Sequence, residues 1–499
     1  MSEGFPLGWR QLAVIGVPPL WAIGRLLSGN FNGIVRIERP LAVFVTLWVL
    51  GIAVALGLAA MGVSRRPASY VAFLLLALLV GFGPVMRQFG DFVGLLVFAA
   101  ALIVGAWLFI RFGDGVAARV IVAVVVVAML SGPLVDTFRT AAKYGESSVV
   151  NQEPMTLELT ERPNIWLVVL DGYPGRISIR ADHGIPPEDQ LQTHLEERGF
   201  EVPASVWASY PSTRLSVPSL LDMAYLVRDW AESPATDQDL YNIVAGDSRL
   251  IEVLNDNGYF TQMVEPGWSG GDCHSQYDVC VASPFYDAAM NFVAFESILG
   301  DTDFVRPGYA FAVGSQSTMS WLREHMGGVG GDDDAPSFVY AHVLAPHPPF
   351  FLDESCERVV DHQRDGFFYT YGDVPHSKRA EFFSQQIACV DSFVEEFVAG
   401  VSEDDLVILV SDHGTGTRAQ MGTDPDDWDV DAIRERMNAL VAVRSPVECQ
   451  IGDRVFIPNV MRRVLSCLSD DDVPDLGEEM HVGAHRQVDP ETLALVTEP

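Results

Sequence analysis

The stretch LVILVSDHG, residues 406–414, is apolar at its first five positions and then presents an acid, a histidine and a glycine. A run that is apolar at every position is typical of a strand covered on both faces, as in the centre of a parallel sheet. Ligands of open α/β sheets bind beyond the carboxyl ends of the strands, so Asp412 and His413 are candidates for holding a cation. A local explanation is also available, because Asp412 could cap a turn that Gly414 permits.

Two other apolar runs end in a similar way. NIWLVVLDG, residues 164–172, ends on Asp171, and SFVYAHVLAPHPPF, residues 337–350, leads into His347 within a proline-rich turn. Three strands that each deliver an acid or an imidazole at the carboxyl end predict a metal site assembled from separate strands. Oxygen and imidazole ligands accept a divalent ion, and Mn, Mg, Zn and Ca all remain candidates. His342, within the third run, is interpreted as structural.

A cluster of hydroxyl side chains precedes an apolar helical run in YPSTRLSVPSLL, residues 210–221. Thr213 is therefore expected at a helix N-terminus, whose free N–H groups attract anions such as phosphate and sulfate. A hydroxyl beside a divalent cation can ionise and act as a nucleophile. The alternative is that Ser212 or Thr213 is an ordinary helix N-cap.

Strand patterns and helical patterns alternate along this part of the chain. Strands are predicted at 164–170, 259–264, 337–344 and 405–410, and helices near 190–198, from about 216 and at 250–257. Such alternation predicts an α/β domain with a mostly parallel sheet between layers of helices.

Charge is distributed unevenly over the 499 residues. Residues 1–146 contain 11 Lys/Arg and 6 Asp/Glu, a net of +5, whereas the remainder contains 21 and 60, a net of −39. The acidic part would repel phosphate backbones, so we expect no nucleic-acid partner.

The first part contains long uncharged apolar stretches that predict four transmembrane helices, at residues 41–63, 70–86, 92–110 and 120–135. A fifth candidate, 12–27, is interrupted by Pro18, Pro19 and Arg25. Basic residues in the short loops place those loops in the cytoplasm and everything after Val135 outside. The predicted organisation is a transmembrane region over 1–136, a stalk over 137–161 and an exported domain over 162–499.

All six cysteines lie in the acidic part. An even set in an exported domain predicts up to three disulfides. Cys273 with Cys280 is the simplest local pair, and the remaining four are assigned as Cys356 with Cys389 and Cys449 with Cys467, although six cysteines allow other pairings.

The four motifs PNIWLVVLDG, YPSTRLSVPSLL, HVLAPHPPF and VILVSDHG occur in the order found in the alkaline phosphatase/sulfatase superfamily. The chain resembles the membrane-anchored sulfatase-like hydrolases and transferases of that superfamily, and its layout is similar to that of lipoteichoic acid synthases and phosphoethanolamine transferases. The resemblance implies an alkaline phosphatase-like fold. It also implies that Asp171, Asp412 and His413 are metal ligands, that Thr213 is both ligand and nucleophile, and that His347 contacts the transferred group or the leaving oxygen.

The chain departs from the sulfatase pattern at the nucleophile. Sulfatases place there a Cys or Ser that becomes formylglycine, whereas this chain has Thr213, so sulfate-ester hydrolysis by that route is disfavoured. Sulfatases also have two adjacent acids where this chain has Asp171. Further candidates for a second metal are Asp361, His362, His481 and His485, but each is better explained as a surface residue in an acidic loop, and we expect one metal.

The sequence therefore predicts a metal-dependent phosphotransferase or phosphodiesterase in the cell membrane, with its catalytic domain on the extracytoplasmic side. Its substrates would be a membrane lipid and a lipid-linked or envelope glycan. The alternatives are a hydrolase of sulfate or phosphate esters, or an envelope-binding protein that has kept the fold without catalysis.

Overall fold

The protein is described by a computed structural model over residues 7–30, 38–82, 91–143, 155–226, 237–264, 266, 273, 276–281, 307–328, 335–359, 376–417, 427–482 and 487–496. The chain divides into two compact units. The first comprises Met1–Glu146 with Tyr286–Ala310, and the second comprises Ser147–Phe285 with Phe311–Pro499.

The first unit is built from apolar helices, as predicted. They are α1 (Trp9–Asn30), α2 (Glu38–Ala60), α3 (Arg65–Gly81), α4 (Asp91–Phe112) and α5 (Val116–Lys143). α1, α2 and α3 pack together around Ile15, Ala55 and Leu76, each fully buried.

Two helices are long and apolar enough to cross a bilayer, namely the stretches Leu41–Ala60 in α2 and Val93–Phe112 in α4. α3 has 17 residues, and the apolar part of α5 covers only Val116–Ser131. Two of the four predicted transmembrane helices are thus long and apolar enough to cross a bilayer, and the multi-pass arrangement stays a prediction. α5 continues to Lys143, so the first residues of the segment predicted as a stalk are helical.

The second unit alternates strands and helices. Its helices are α6 (Arg176–Ala181), α7 (Leu191–Glu197), α8 (Thr213–Asp222), α9 (Asp237–Val244), α10 (Arg249–Asp256), α11 (Pro307–His325, whose first four residues are counted with the first unit), α12 (His376–Gly400), α13 (Val430–Met437) and α14 (Ile457–Leu468). Its strands are β1 (Ile165–Leu170), β2 (Ser205–Trp207), β3 (Phe260–Val264), β4 (Val279–Val281), β5 (Ser337–Val343), β6 (Leu406–Val410), β7 (Val441–Arg444), β8 (Arg454–Phe456), β9 (Met480–His481) and β10 (Gln487–Val488).

Six strands form the main sheet, in the order β4-β3-β5-β1-β6-β7. All neighbours are parallel except β6 and β7, so the prediction of a mostly parallel sheet is confirmed. β1 lies between β5 and β6, and Val169 is in register with both His342 and Val410. The residues that follow these three strands therefore emerge at the same edge of the sheet.

The sheet is covered on both faces. Along β1 the side chains alternate between two hydrophobic clusters: Leu167 packs into one with Leu221 of α8, and Val168 packs into the other with Phe397 of α12. Because helices cover both faces of the sheet, the side chains on either face of β1 and β6 are buried. This explains why both strands are apolar throughout. The expected helical layers on both faces are confirmed.

Three disulfides connect the second unit: Cys273–Cys280, Cys356–Cys389 and Cys449–Cys467. These are the three pairs assigned from the sequence. Each joins residues that are already near neighbours in the chain, with separations of 7, 33 and 18 residues.

Candidate metal and nucleophile site

Asp171 and Asp412 lie side by side where β1 and β6 end. Both carboxylates are buried, with 3% and 0% of the residue exposed. Oδ1 of Asp412 accepts hydrogen bonds from the backbone N–H groups of Gly172, at 3.1 Å, and His413, at 3.0 Å. Gly172 has a φ of +70°, a left-handed conformation that suits glycine and lets the chain turn away from the sheet. Oδ2 of Asp412 has no hydrogen-bond partner among the described residues.

The ring of His413 is held in the orientation that a metal ligand needs. Its Nδ1 lies 2.8 Å from the carbonyl oxygen of Gly414, which can only accept, so Nδ1 carries the proton. Nε2 therefore carries the lone pair, and it lies 3.3 Å from Asp412 Oδ2 and 3.7 Å from Asp171 Oδ1. Burial lowers the pKa of His413 well below its usual range, and the neighbouring Arg436 guanidinium lowers it further. The imidazole is thus kept neutral, the form that binds cations.

Thr213 is the first residue of α8, and its hydroxyl faces the carboxylates. Oγ1 lies 3.4 Å from Asp171 Oδ2 and 3.2 Å from His413 Nε2. Ser212 occupies the N-cap position, yet its side chain makes no capping hydrogen bond. The hydroxyl of Ser216 donates to the carbonyl oxygen of Tyr210 at 2.8 Å, which fixes the loop that precedes the helix. The ordinary capping role that the sequence left open therefore does not describe Thr213.

His347 follows β5 and lies near the other imidazole. The centroids of the His347 and His413 rings are 5.7 Å apart. Nδ1 of His347 donates to the carbonyl oxygen of Pro348, and the backbone oxygen of His347 accepts from Gln386 at 3.0 Å. These contacts hold the ring at the edge of the site. All five residues singled out in the sequence, Asp171, Thr213, His347, Asp412 and His413, are brought together.

Two further side chains complete the surroundings, and sequence reasoning did not assign either of them to the site. Arg436, on α13, is buried and donates to His413 Nε2 at 3.1 Å and to the carbonyl oxygen of Pro211 at 2.7 Å. His342, on β5, lies 3.3 Å from Asp171 Oδ2. An arginine in an amphipathic helix does not indicate a functional site. A histidine inside an apolar strand, by contrast, could have been taken as a candidate site residue.

The arrangement suits a cation. Two buried groups have ligand atoms that all lie within 4.8 Å of one another: Asp171, His347 and His413, and Asp171, His342 and Asp412. Ligand atoms held about 2.1 Å from one ion in a tetrahedron are about 3.4 Å apart, close to the distances between these side chains. The oxygen and imidazole donors fit one divalent ion, which would also pair the Asp412 oxygen that the described chain leaves without a hydrogen bond.

Of the other histidines and acids considered from the sequence, His481 lies in β9, where its ring stacks on Tyr210 with centroids 5.8 Å apart. Its Nε2 lies 3.5 Å from Glu479. Asp361, His362 and His485 fall outside the described residues.

Comparison with known proteins links this arrangement to one family. The family model described as Sulfatase matches residues 163–438, a stretch that contains the five predicted site residues together with His342 and Arg436. No curated protein matches the sequence significantly.

Several solved structures are similar at low sequence identity. The C-terminal periplasmic domain of EptC from Escherichia coli, in complex with Zn, is 14% identical and has a TM-score of 0.44, with 68% of this chain and 97% of that chain covered. The integral membrane lipooligosaccharide phosphoethanolamine transferase EptA from Neisseria meningitidis is 11% identical, with a TM-score of 0.40 and coverages of 91% and 95%. An alkaline phosphatase superfamily protein from Vibrio parahaemolyticus is 13% identical, with a TM-score of 0.40 and coverages of 68% and 80%.

Proposed function

The chain belongs to the sulfatase family, and on that premise we propose that it is a membrane-anchored, metal-dependent phosphotransferase or phosphodiesterase. Thr213 would be its nucleophile, and a lipid- or envelope-linked phosphodiester its substrate. The observation that carries the proposal is the position of Thr213 Oγ1, within 3.5 Å of both Asp171 oxygens and 3.2 Å from His413 Nε2. A hydroxyl so placed contacts two of the candidate ligands of the metal.

Asp171, Asp412 and His413 would hold the divalent ion together with Thr213. The bound ion would lower the pKa of the Thr213 hydroxyl and neutralise charge on the nonbridging oxygens of the substrate. α8 begins at Thr213, and the free backbone N–H groups of a helix N-terminus favour an anion near it. Arg436 adds a buried positive charge beside His413.

The reaction would proceed in two displacements. In the first, Thr213 Oγ1 bonds to phosphorus, its proton passes to Asp171, and the bond between phosphorus and the departing alcohol breaks. His347 would donate a proton to that alcohol oxygen. In the second, an acceptor hydroxyl or water attacks phosphorus and gives its proton to His347, the bond between phosphorus and Thr213 Oγ1 breaks, and Asp171 returns its proton to Thr213. Transfer and hydrolysis thus share the first step and differ only in the acceptor.

Phosphoryl chemistry is favoured over sulfate-ester hydrolysis because of the residue at the nucleophile position. Formylglycine forms from Cys or Ser, and this chain has Thr213. Thr213 keeps a hydroxyl that could attack phosphorus directly, and its Oγ1 lies 3.2 Å from His413 Nε2.

The proposal places the catalytic domain outside the cytoplasm on a multi-pass anchor. Two helices of the first unit are apolar over 20 residues each. Disulfides persist in oxidising compartments, and the second unit has three of them. An enzyme anchored beside the bilayer meets lipid-borne donors at high local concentration, which supports a lipid as one substrate and a lipid-linked or envelope glycan as the other.

The test is mass spectrometry of the full chain after incubation with membrane phospholipids and Mn²⁺ or Mg²⁺. A phosphoryl-type adduct on the peptide that contains Thr213 is expected, and its mass identifies the transferred group. Thr213→Ala should carry no adduct, whereas Thr213→Ser, which keeps a hydroxyl, should carry one. A wild-type protein that retains no metal and forms no adduct with any donor would favour an envelope-binding role without catalysis.

A further inference from the structure

His342 is an imidazole inside an otherwise largely apolar strand. It is the sixth residue of β5, is paired in register with Val169 of the central strand, and is 4% exposed. A polar side chain at the centre of a sheet that is covered on both faces requires a partner in the protein or a bound group. The atoms around the His342 ring are therefore the candidates for that partner.

Nε2 of His342 makes no hydrogen bond within the part of the chain that the structure describes. The charged atom Asp171 Oδ2 lies 3.3 Å from it. Oδ2 of Asp412 is likewise buried without a hydrogen bond among those residues. Ligand atoms of His342, Asp171 and Asp412 all lie within 4.8 Å of one another, so the three side chains are close enough to share one ion.

We propose that His342 is a direct ligand of the divalent ion that Asp171, Asp412 and His413 hold, an inference that rests on the proposed metal-dependent function. One ion satisfies both the imidazole nitrogen and the carboxylate oxygen. The separation of 3.3 Å between His342 Nε2 and Asp171 Oδ2 is short enough for both atoms to bind one ion, since two bonds of about 2.1 Å span at most about 4.2 Å. The interpretation of His342 as structural is thereby replaced.

The competing arrangement is an ion pair in which His342 carries a second proton and donates it to Asp171. That pair would need no metal, and a cation on Asp171 would repel the charged ring. The two arrangements therefore differ in one observable, which is whether the bound ion has a nitrogen ligand from His342.

The experiment uses the full-length protein in detergent, titrated with Mn²⁺, with pulsed EPR to count directly coordinated imidazole nitrogens. We expect at least two in the wild type, from His413 and His342, and one fewer in His342→Asn. We also expect His342→Asn to weaken Mn²⁺ binding by about 10- to 100-fold or more, since even residues that only orient ligands have effects of that size.

Two control variants test whether the expected changes are specific to His342. His347→Asn removes the other imidazole after β5 and is expected to leave the nitrogen count unchanged. His194→Asn removes a histidine on α7 that pairs with Glu395, away from the site, and is expected to change neither the count nor the affinity.

Fewer than two imidazole nitrogens in the wild-type signal overturns the inference without any variant, so the result does not depend on whether His342→Asn folds. An unchanged count and affinity in a folded His342→Asn protein also overturns it, while the metal-dependent function stands. A wild-type protein that binds neither Mn²⁺ nor Zn²⁺ and forms no Thr213 adduct removes the proposed function, and the role of His342 with it.

Discussion

Asp412 Oδ1 accepts the backbone N–H of Gly172 at 3.1 Å, so the end of β6 is tied to the turn that follows β1. One oxygen of Asp412 thus has a structural role, and the other, Oδ2, faces His413 Nε2 at 3.3 Å. The two roles reside on different atoms of one carboxylate, which makes them separable by mutation.

Asp412→Asn is expected to keep the fold and lose the metal. The amide oxygen can still accept the two backbone N–H groups, but the residue no longer supplies a negatively charged ligand. We expect metal affinity to fall by at least about 10- to 100-fold, with little change in the apparent melting temperature of the metal-free protein. Calorimetric titration and thermal unfolding in EDTA measure the two effects. Asp412→Ala is the comparison, since it should also destabilise the metal-free protein.

Arg436→Lys is expected to slow the reaction without removing the metal. Lysine keeps the charge, but it cannot contact both Pro211 and His413 with a planar fork. We predict a fall in kcat of about 10²- to 10³-fold, similar to the loss of one donor that stabilises developing charge. The control is Arg434→Lys on the same helix, where the arginine pairs with Asp182. Equal kcat values for the two variants would show that Arg436 has no part in the chemistry.

Asp391 is expected to make the protein less stable as the pH rises. Its Oδ1 accepts from the Tyr173 hydroxyl at 2.6 Å, and burial raises the pKa of Asp391 to about 7. The folded state therefore holds a proton that the unfolded state releases near pH 4. The associated stability is complete below pH 4 and is lost between about pH 4 and pH 7.

Asp391→Asn should flatten this pH dependence and stabilise the protein at pH 8, because the amide needs no charge there and still accepts from Tyr173. Asp391 is partly exposed, so we expect a gain of only about 1–3 kcal/mol. Denaturant unfolding at pH 5 and pH 8 measures it. A variant whose stability falls in parallel with the wild type over this interval would refute the assignment.

Breaking the Cys356–Cys389 disulfide is expected to cost more than breaking Cys273–Cys280. The first closes a loop over 33 residues and the second a loop over 7. Loop-closure entropy predicts losses of about 3–4 kcal/mol and about 2–3 kcal/mol for the paired Ser variants. Unfolding curves of the two double variants, with the wild type in reductant as reference, test the order.

The central strands and the acids and histidines after them could be predicted because one local rule governs them. A strand buried on both faces is apolar throughout, and the first polar residues after it mark the ligand-binding edge. Thr213 followed from the same logic, applied to a helix N-terminus.

Arg436 could not be predicted in that way. It reaches the site from α13, and its contact with His413 depends on how that helix packs against the sheet. The sequence of α13 shows only mixed charges, which is typical of any solvated helix. His342 is interpreted from the sequence as structural, because a single buried histidine has a structural explanation until its neighbours in space are known.

The candidate site draws on positions 171, 342, 347, 412 and 413, which the parallel order of β5, β1 and β6 gathers from distant parts of the chain, and on position 213 at the start of α8. On the proposed ligand set, no fragment that lacks one of these segments could hold the ion completely. Retention of the ion would therefore report that the second unit has reached its final topology. The amount of metal bound per protein molecule could then be measured in preparations, variants and truncations. It would give the fraction of correctly folded protein before any substrate is known.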